Sequence, residues 1–578
     1  RMREGVLACR MAQQQAMKQK WERPLAARVA RARALGPLRY VKTTASKTGS
    51  ACWHFRAPEE DFAVFQEGQR LRLSQDSPQD DYLPVYFGGL GEEGLVLYPL
   101  DRGERDPFAR DVDGWCLDED FFDLSQHYLD AIEQLGETAH GREVVYPALF
   151  EENRTPYAPG VFAQVSTELE DEAEGKLDAA QLDAVAISIA SQRFSLVQGP
   201  PGTGKTYTLA WLVKKLVDQG QRVLITGFTH RAIHNALDAV QSLLDGLCPV
   251  VKISQPLSWT GDESFPIHES FDEAGLSLEG PWVVGATPYA LNSKRLMGVD
   301  LDVAVIDETS QLPLMAALIV MLRTQRWHFF GDPKQLGPVS VLSSPHEVEQ
   351  SAFKRLERHL DPEFLRWTYR MNGEITHWAS ECFYSGWLES RVADARMALK
   401  RSPGKFAALL DPEHALVRVE VAGSARSQSF DRDEAGLVAA VIDELFRCGM
   451  EGRDIGVVTP FRAQARQVHG MLAKSSRASG FAAEAKAVLI DTVDRFQGQE
   501  REVIVITLAS RQRAFITQLM DFILQENRLN VAVTRARTKV VLVHSQALLA
   551  MAEEWEINSP HAAAFANLCR SCERIDMP

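Results

Sequence analysis

The stretch FSLVQGPPGTGKT, residues 194–206, joins an apolar run typical of a buried strand to a glycine-rich turn. The turn consists of Gly199, Pro200, Pro201, Gly202, Thr203, Gly204, Lys205 and Thr206. It matches the phosphate-binding loop pattern in full, and its glycines permit the backbone angles that direct successive N–H groups into one concavity. A helix that begins directly after the turn aims its positive end at the same place, so the stretch predicts a polyphosphate site.

A nucleoside triphosphate is the default ligand of such a loop. Lys205 would reach the β- and γ-phosphates, and the Thr206 hydroxyl would coordinate Mg²⁺. A chance glycine-rich turn is the alternative, which the strand pattern before it and the helix pattern after it argue against.

Apolar strands and helices alternate after the loop, in the runs RVLITGF, PWVVGAT, DVAVID and RWHFFGD. This alternation predicts a parallel sheet that is covered on both faces. Asp307 and Glu308 close the third run, where Asp307 could hold Mg²⁺ and Glu308 could polarise an attacking water. Gln335 follows the fourth run and is predicted to lie near the γ-phosphate or that water.

A second alternating block begins beyond about Ser344, with strands at IGVVT, AVLID, EVIVIT and KVVLV. No second phosphate loop accompanies it, so we expect this block to supply cations to the first. The candidates are Arg370, Arg535 and Arg537. An arginine that reaches across a cleft stabilises the charge of a transferring phosphoryl group, although each one singly is more often a surface ion-pair partner.

The N-terminal third has a different pattern. Residues 11–35 form a basic helical run, typical of a solvated helix face, with a phosphate-contacting role as the alternative. Short β-like runs between residues 53 and 100, separated by glycines, indicate a small antiparallel barrel or meander. Burial inside this barrel is favoured over base stacking for its aromatics Trp53, Phe62, Tyr86 and Phe87.

The 578 residues are 45% hydrophobic, which is enough for about three or four domains. No apolar segment approaches the roughly 20 residues that span a bilayer, and the first residues lack a signal-peptide block. A soluble protein of the cytoplasm, nucleoid or nucleus is expected, without a membrane partner. The net charge of −15 argues against a surface that attracts nucleic acid everywhere, and leaves a local basic groove open.

The eight cysteines are scattered, as is typical of a reducing compartment. Only Cys569 and Cys572 form a CxxC pair. A plain thiol-bearing tail is favoured over a pair of metal ligands completed by another segment.

Ten motifs stand in the order and at the spacing of superfamily 1 helicases: LDAAQ, GPPGTGKT, TGFTHRAIHNAL, VVGATPYAL, VIDETSQ, GDPKQLGPV, YRMN, IGVVTPFRAQ, DTVDRFQGQE and NRLNVAVTRAR. The chain from Leu177 to about Val543 resembles the superfamily 1B branch, which includes the up-frameshift nonsense-decay helicase, senataxin and the Okazaki-fragment nuclease-helicase. TVDRFQGQE is the discriminating motif, because the repair translocases of the other branch differ there.

The resemblance implies ATP and Mg²⁺ as cofactors and roles for particular residues. Gln181 would read adenine, Tyr369 would stack on its ring, and Glu500 would hold the ribose. The hydrolytic set would be Lys205, Thr206, Asp307, Glu308, Gln335, Arg370 and Arg535. Contacts to single-stranded DNA or RNA, mostly through phosphate and sugar, would come from Thr229, His230, Thr287, Thr459, Pro460, Phe461 and Thr492.

The predicted fold is α/β, with two tandem RecA-like parallel-sheet domains, a small N-terminal β-barrel and a helical stalk. The predicted divisions are a basic helical segment (1–50), the barrel (51–105), a stalk and linker (106–176), the first RecA-like domain (177–345), the second (346–560) and a tail (561–578).

The expected function is a translocase or helicase that hydrolyses ATP between the two domains and moves along a single strand, 5′ to 3′ by resemblance alone. An ATP-gated nucleic-acid clamp or switch, without unwinding, is the alternative from another class. The motor half of a nuclease-helicase is the third possibility.

Overall fold

The computed structural model describes residues 1–576 except for residues 32, 46–50, 57–64, 66–67, 76, 80, 92–93, 101–112, 152–156, 255–262, 278, 343–345 and 423–428. Phe62 and the predicted domain boundary between residues 105 and 106 lie outside the described residues.

Two helices and a closed six-stranded barrel form the N-terminal part. The helices are α1 (Met2–Trp21) and α2 (Leu25–Ala30). The strands are β1 (Ala34–Ala45), β2 (Ala51–Arg56), β3 (Arg70–Ser74), β4 (Leu83–Gly91), β5 (Gly94–Pro99) and β6 (Asp113–Glu119). They pair antiparallel in the order β1-β2-β5-β4-β3-β6, and β6 closes on β1. Trp53 and Phe87 are buried in the barrel interior, as predicted.

The barrel is longer than predicted at both ends, because its strands run from Ala34 to Glu119 rather than from 51 to 105. Strand β1 lies within the segment that the sequence predicts to be basic and helical. Its sequence, ALGPLRYVKTTA, is interrupted by Gly-Pro and rich in polar residues, so its apolar alternation is weak. Pairing with both β2 and β6 is what makes it a strand.

A helical segment returns the chain from the barrel to the first sheet. It comprises α3 (Ser125–Glu137), a π-helical turn (Gly141–Val145), α4 (Tyr146–Phe150) and α5 (Pro159–Ala173). Val6 of α1 and Ala131 of α3 are buried in the same core cluster as Met315 of the first domain. The helices that precede the barrel and those that follow it therefore both pack onto the first domain.

The first RecA-like domain has an eight-stranded sheet. Its elements are α6 (Ala179–Ala190), β7 (Phe194–Gln198), α7 (Lys205–Asp218), β8 (Arg222–Gly227), α8 (His230–Leu244), β9 (Val250–Ile253), β10 (Ile267–His268), α9 (Phe271–Ala274), β11 (Trp282–Gly285), β12 (Leu301–Asp307), α10 (Leu314–Arg323), β13 (Thr324–Gly331), α11 (Ala352–Leu356) and β14 (Glu363–Phe364). Short 3₁₀ turns lie at Pro288–Ala290 and Glu347–Glu349. The strand order is β10-β9-β11-β8-β12-β13-β7-β14.

Both faces of this parallel sheet are buried, as alternating residues of β8 show. Leu224 packs in the cluster that contains α10, and Ile225 packs in the cluster that contains α7. Such continuous apolar strands are typical of a parallel sheet covered by helices. The domain extends to Phe364, past the predicted boundary at residue 345, because β14 pairs with β7.

The second RecA-like domain has a six-stranded parallel sheet, preceded by the short pair β15 (Trp367–Thr368) and β16 (Glu389–Ser390). Its elements are α12 (Gly373–Phe383), β17 (Leu416–Val421), α13 (Arg432–Arg447), β18 (Ile455–Thr459), α14 (Arg462–Ser479), α15 (Ala482–Ala487), β19 (Leu489–Thr492), α16 (Val493–Phe496), β20 (Arg501–Thr507), α17 (Arg513–Ile523), α18 (Glu526–Val533), β21 (Ala536–Ser545), α19 (Gln546–Trp555), α20 (Pro560–Ser571) and β22 (Glu573–Arg574). A 3₁₀ turn lies at Gly452–Asp454. The strand order is β19-β18-β20-β21-β17-β22.

The residues predicted as a tail belong to the second domain. Helix α20 packs into its core, and β22 pairs with β17. Cys569 and Cys572 are buried there, and burial raises the pKa of the Cys569 thiol to about 12. Among the described residues there is no group of three His, Cys, Asp or Glu side chains that could hold a metal ion.

The predicted α/β class, with a barrel and two RecA-like domains, is confirmed. In the described part of the chain, no helix combines the length and the apolar character that crossing a membrane requires.

Candidate functional site

The phosphate loop connects β7 to the first residue of α7, at the carboxyl edge of the first sheet. Gly202 and Gly204 have φ angles of +76° and +75°, which glycine adopts without strain. The Thr203 hydroxyl donates to the Pro200 carbonyl at 2.8 Å and fixes the turn. Helix α7 therefore starts at Lys205 with its N–H groups directed at the loop.

Two carboxylates lie beside this loop at the end of β12. Burial raises the pKa of Asp307 to about 6, the nearby Thr206 hydroxyl acts in the opposite direction, and the carboxylate accepts a hydrogen bond from the Glu308 N–H at 2.8 Å. Glu308 has φ +51° and accepts from Lys205 Nζ at 3.3 Å. Burial would lower the pKa of Lys205, but the neighbouring Glu308 and Asp307 carboxylates outweigh it and raise that pKa.

Thr206 and Asp307 provide an oxygen donor set. A hydroxyl and a carboxylate next to a phosphate site suit Mg²⁺, which prefers few protein oxygens together with phosphate oxygens and water. The buried Asp307 carboxylate thus fits the metal that the phosphate loop implies.

Arg370 and Arg535 lie across the cleft from the loop, on the C-terminal half of the chain. Arg370 lies directly against the loop, because a Cβ added to Gly202 would be only 2.4 Å from the Cβ of Arg370. The guanidinium of Arg370 donates to Glu500 Oε2 at 2.5 Å. Arg535 is 2% exposed and donates from Nη2 to Gln335 Oε1 at 3.1 Å.

Arg535 makes no ion pair with a carboxylate among the described residues, although its side chain is buried. Burial lowers its pKa to about 9, with a further contribution from the Arg370 cation. The Glu308 and Glu500 carboxylates act in the opposite direction, but neither is in direct contact with the guanidinium. A buried guanidinium that touches no carboxylate is costly, so this position favours an anionic ligand in the cleft.

The turn from Asp332 to Gln335 is held by a network that the sequence patterns do not reveal. Asp332 Oδ2 accepts from Gln335 Nε2 at 2.9 Å and from the Tyr384 hydroxyl at 2.7 Å. Because Gln335 Nε2 faces Asp332, its Oε1 faces Arg535. Asn530 donates to both Tyr384 Oη, at 2.9 Å, and the Lys334 carbonyl, at 2.8 Å.

Gln181 and Tyr369 lie together at one end of the cleft, where the resemblance places the base. Gln181 completes a capping box with Asp178 and donates from Nε2 to the Thr203 carbonyl at 3.1 Å. The Tyr369 hydroxyl donates to Asp178 Oδ2 at 2.9 Å, and the ring is 48% exposed. Glu500 is bound by Arg370 and Arg537; burial would raise its pKa, but these two cations lower it.

A cleft of about 900 Å³ lies between the two domains, and the buried Gln181 is not part of its lining. The structure brings together the predicted hydrolytic and base-side residues Lys205, Thr206, Asp307, Glu308, Gln335, Tyr369, Arg370, Glu500 and Arg535.

The predicted strand contacts follow the carboxyl ends of strands in both sheets. Thr229 and His230 come after β8, and Thr287 comes after β11. In the second sheet, Thr459 and Thr492 end the neighbouring strands β18 and β19 as register partners.

Their side chains differ in exposure. Thr229 and His230 are exposed, whereas Thr459 and Thr492 are buried. Pro460 and the half-buried Phe461 follow Thr459 directly.

Family models described as AAA domains match residues 181–341 and 348–547, which correspond to the two RecA-like domains. The chain is 27% identical over 405 residues to the DNA replication ATP-dependent helicase/nuclease JHS1 of Arabidopsis thaliana, covering 65% of this chain and 29% of that protein. It is also 27% identical over 458 residues to the DNA polymerase alpha-associated DNA helicase A of Schizosaccharomyces pombe, covering 66% of this chain and 65% of that protein.

The chain belongs to the superfamily 1 helicases. It spans between 29% and 65% of the length of these two relatives. A solved structure described as arterivirus nonstructural protein 10 (helicase) in complex with DNA is similar with a TM-score of 0.38 and 13% identity, covering 91% of this superfamily 1 chain and 81% of that one.

Proposed function

We propose that the chain is an ATP-dependent translocase or helicase that acts on single-stranded nucleic acid. One observation carries the proposal: Arg370 and Arg535, from the C-terminal half of the chain, meet the phosphate loop and Gln335 of the first domain in one cleft. Hydrolysis in such a cleft changes the contacts between two domains that both present predicted strand-binding residues. Movement in the 5′ to 3′ direction is proposed from the resemblance alone.

Each residue has a part in the proposed hydrolysis. The loop N–H groups and Lys205 would hold the triphosphate of ATP, and Gln181 and Tyr369 would hold the base. Thr206 and Asp307 would hold Mg²⁺, which neutralises phosphate charge when bound.

A phosphate that competes for Lys205 would release Glu308 from its 3.3 Å contact. Glu308 also accepts from Gln497 Nε2 at 3.2 Å through its other oxygen, and the released oxygen would accept a proton from the attacking water, which Gln335 would help to orient. Arg370 and Arg535 would stabilise the charge of the transferring phosphoryl group.

The test is ATP hydrolysis measured with single-stranded DNA and RNA in parallel. We expect either strand to stimulate hydrolysis, and Lys205→Ala to abolish it. Arg535→Ala should lower kcat by about 10³-fold or more, the range known for arginine fingers, while a fluorescent ATP analogue still binds. Absence of strand-stimulated hydrolysis, or an unchanged rate in Lys205→Ala, would contradict the proposal.

Measuring strand displacement on 5′- and 3′-tailed duplexes distinguishes a helicase from the ATP-gated clamp or switch. Displacement from 5′-tailed substrates alone is expected. Hydrolysis without displacement or stepping would favour the clamp.

A second candidate is the motor part of a helicase/nuclease, favoured by the name of the Arabidopsis relative and by its 29% coverage. The described residues contain no cluster that could hold a nuclease metal. We therefore expect this chain to leave an end-labelled strand intact in Mg²⁺, and strand cleavage would show that it carries a nuclease itself.

A further inference from the structure

The polar groups around Gln181 and Tyr369, at what we term the base end of the cleft, are bonded to one another. Gln181 Oε1 accepts from the Asp178 N–H at 3.1 Å, and Gln181 Nε2 donates to the Thr203 carbonyl at 3.1 Å. The Asp178 carboxylate accepts from the Gln181 N–H at 3.0 Å and from the Tyr369 hydroxyl at 2.9 Å. These side chains therefore use their polar atoms on each other and on the loop.

These contacts fix the orientation of the Gln181 amide. The Asp178 N–H requires an acceptor and the Thr203 carbonyl requires a donor, so the oxygen and the nitrogen of the amide cannot exchange places. Only 3% of Gln181 is exposed, and it is not part of the cleft lining. Gln181 therefore supports the base end indirectly, by fixing the phosphate loop, and does not present its amide to the edge of a base.

The Tyr369 ring, in contrast, is open to the cleft. Its backbone N–H donates to the Gly202 carbonyl at 2.9 Å, and its hydroxyl is held by Asp178. Tyr369 is nevertheless 48% exposed and lines the cleft. Because the hydroxyl is occupied, the contact that Tyr369 offers to a base is the face of its ring.

A second ring, that of Tyr207, lies beside the same part of the loop. A Cβ added to Gly204 would be 2.6 Å from Gln181 Nε2 and 3.9 Å from Tyr207 Cβ. Tyr207 is in the first turn of α7, lines the cleft and is 37% exposed. Its ring meets the buried Trp211 ring edge to face, with the centroids 6.5 Å apart. The base end thus offers two tyrosine rings and a closed set of hydrogen bonds.

The cations that would bind the nucleotide lie at the phosphate end. Lys205 begins α7 at the loop, Arg370 lies against Gly202, and Arg535 donates to Gln335. All nucleoside triphosphates carry the same phosphates, so these contacts do not distinguish one base from another. Discrimination between bases has to come from the base end.

Building on the proposed function, we propose that the cleft holds a base by its faces, on Tyr369 and Tyr207, and does not read its edge. The substrate class is then nucleoside triphosphates in general, and the chain also hydrolyses GTP, CTP and UTP. In each case water attacks the γ-phosphorus and the bond to the β–γ bridging oxygen breaks, which gives the diphosphate and inorganic phosphate. Stacking accepts every base, because every base has a ring face.

Steady-state hydrolysis of ATP, GTP, CTP and UTP by the full chain tests the proposal, with Mg²⁺, saturating single-stranded DNA and phosphate release as the readout. We expect kcat/KM for GTP within about tenfold of that for ATP, because both purines stack with similar ring area. A site that reads an edge through buried hydrogen bonds discriminates by about 10⁴-fold or more. A value for GTP more than about tenfold below that for ATP, or no hydrolysis of CTP and UTP, overturns the proposal.

Gln181→Ala distinguishes support of the loop from reading of the base. Loss of the loop contacts should lower kcat/KM for ATP and GTP alike and leave their ratio unchanged. A change of more than about threefold in the ratio, in favour of GTP, would show that Gln181 reads adenine and overturns the proposal. If this variant hydrolyses neither nucleotide, displacement of a fluorescent ATP analogue by ATP and by GTP measures the same ratio.

Tyr207→Ala and Tyr369→Ala remove ring surface. Each should raise KM for all four triphosphates by about fivefold or more, because each base loses one stacking partner. Tyr146→Ala, on α4 and 46% exposed outside the cleft lining, is the matched control and should keep KM. An unchanged KM in both cleft variants overturns the proposal, and circular dichroism checks that each variant is folded.

The outcomes distinguish two failures. Hydrolysis of ATP alone overturns the proposed substrate class and leaves the proposed function standing. No strand-stimulated hydrolysis of any of the four triphosphates overturns the proposed function itself.

Discussion

At the scale of single residues, Gly202 couples backbone conformation to contact between the domains. Its φ of +76° disfavours any residue with a Cβ, and that Cβ would lie 2.4 Å from Arg370 Cβ and 2.5 Å from Thr368 Oγ1. Gly220 has the same φ of +76°, but a Cβ added there would meet no other atom within 4 Å. Substitutions at the two positions therefore distinguish the effect of backbone strain from the effect of a steric clash with Thr368 and Arg370.

We predict that Gly220→Ala lowers stability by about 1–2 kcal/mol and leaves ATP hydrolysis intact. Gly202→Ala should show a similar backbone cost and lose at least about tenfold in kcat, because Arg370 has to move away from the loop. Thermal unfolding and ATP hydrolysis measure the two effects. Equal hydrolysis by the two variants would mean that the Arg370 contact is not needed.

Glu434 is a buried acid that titrates near neutral pH. Burial raises its pKa to about 7, although the Thr507 hydroxyl and the Ala509 N–H donate to it. An acid with a raised folded pKa favours the folded state most at low pH, and this stability is lost as pH rises from about 4.5 to about 7. The cost above pH 7 is about 3 kcal/mol.

Glu434→Gln should therefore remove part of the pH dependence of unfolding. The amide oxygen can still accept both hydrogen bonds, and no charge is buried at high pH. We expect the melting temperature of the variant to exceed that of the unmodified chain at pH 8, and this advantage to shrink or reverse at pH 5. A constant difference at both pH values would contradict the assignment to Glu434.

At the scale of elements, helix α18 binds the turn that carries Gln335. Asn527 donates to the Gln335 carbonyl at 2.6 Å, and Asn530 donates to the Lys334 carbonyl at 2.8 Å. These two residues are three apart and share a helix face. Arg535 follows the end of the same helix, so a shift of the turn would also move the Arg535 guanidinium.

Tyr384 connects this turn to the second domain's core, and Tyr384→Phe removes the hydroxyl that donates to Asp332 and accepts from Asn530. A hydroxyl hydrogen bond to a buried carboxylate contributes about 1.5–3 kcal/mol. We expect kcat for ATP to fall about tenfold with KM changed less than twofold, because Gln335 loses its fixed orientation rather than its contact with ATP.

Tyr289→Phe is the matched control, since it removes the 2.9 Å hydroxyl contact with Tyr128 and neither tyrosine lines the cleft. It should leave kcat unchanged. A rise in KM alone in Tyr384→Phe would point to weakened nucleotide binding instead.

The cleft residues that end strands can be predicted from the sequence, because the carboxyl ends of parallel strands meet at one edge. Asp307, Glu308 and Gln335 are of this kind. Tyr384 is not, because its role depends on how the two domains pack. Strands β14 and β22 are two residues long and exist only through their pairing, so no periodicity indicates them.

At the scale of the whole molecule, Glu119 joins three parts of the chain. It accepts from Lys20 of α1 at 3.4 Å, from Arg33 before the barrel at 3.2 Å, and from Arg462 of the second domain at 2.8 Å. Burial would raise the pKa of Glu119, but these cations lower it. The carboxylate therefore contributes stability above its unfolded pKa, and this is lost as pH falls through its folded pKa.

Glu119→Gln should loosen the contact between the barrel and the second domain, because three cations lose their shared anion. We expect faster amide exchange in β6 and in the first turn of α14. Glu389→Gln is the control, since the Glu389–Arg366 pair is about half exposed and such pairs contribute little. Unchanged exchange in Glu119→Gln would show that other contacts hold the barrel.

The chain enters and leaves the barrel at nearly the same point, because the Trp21 indole N–H donates to the Glu119 carbonyl at 3.0 Å. The residues between them form one insertion, which contacts the second domain where Arg462 and Arg466 donate to Glu119 and to the Val29 carbonyl. Exchange of this insertion for another module would keep both splice points together but would remove those two contacts.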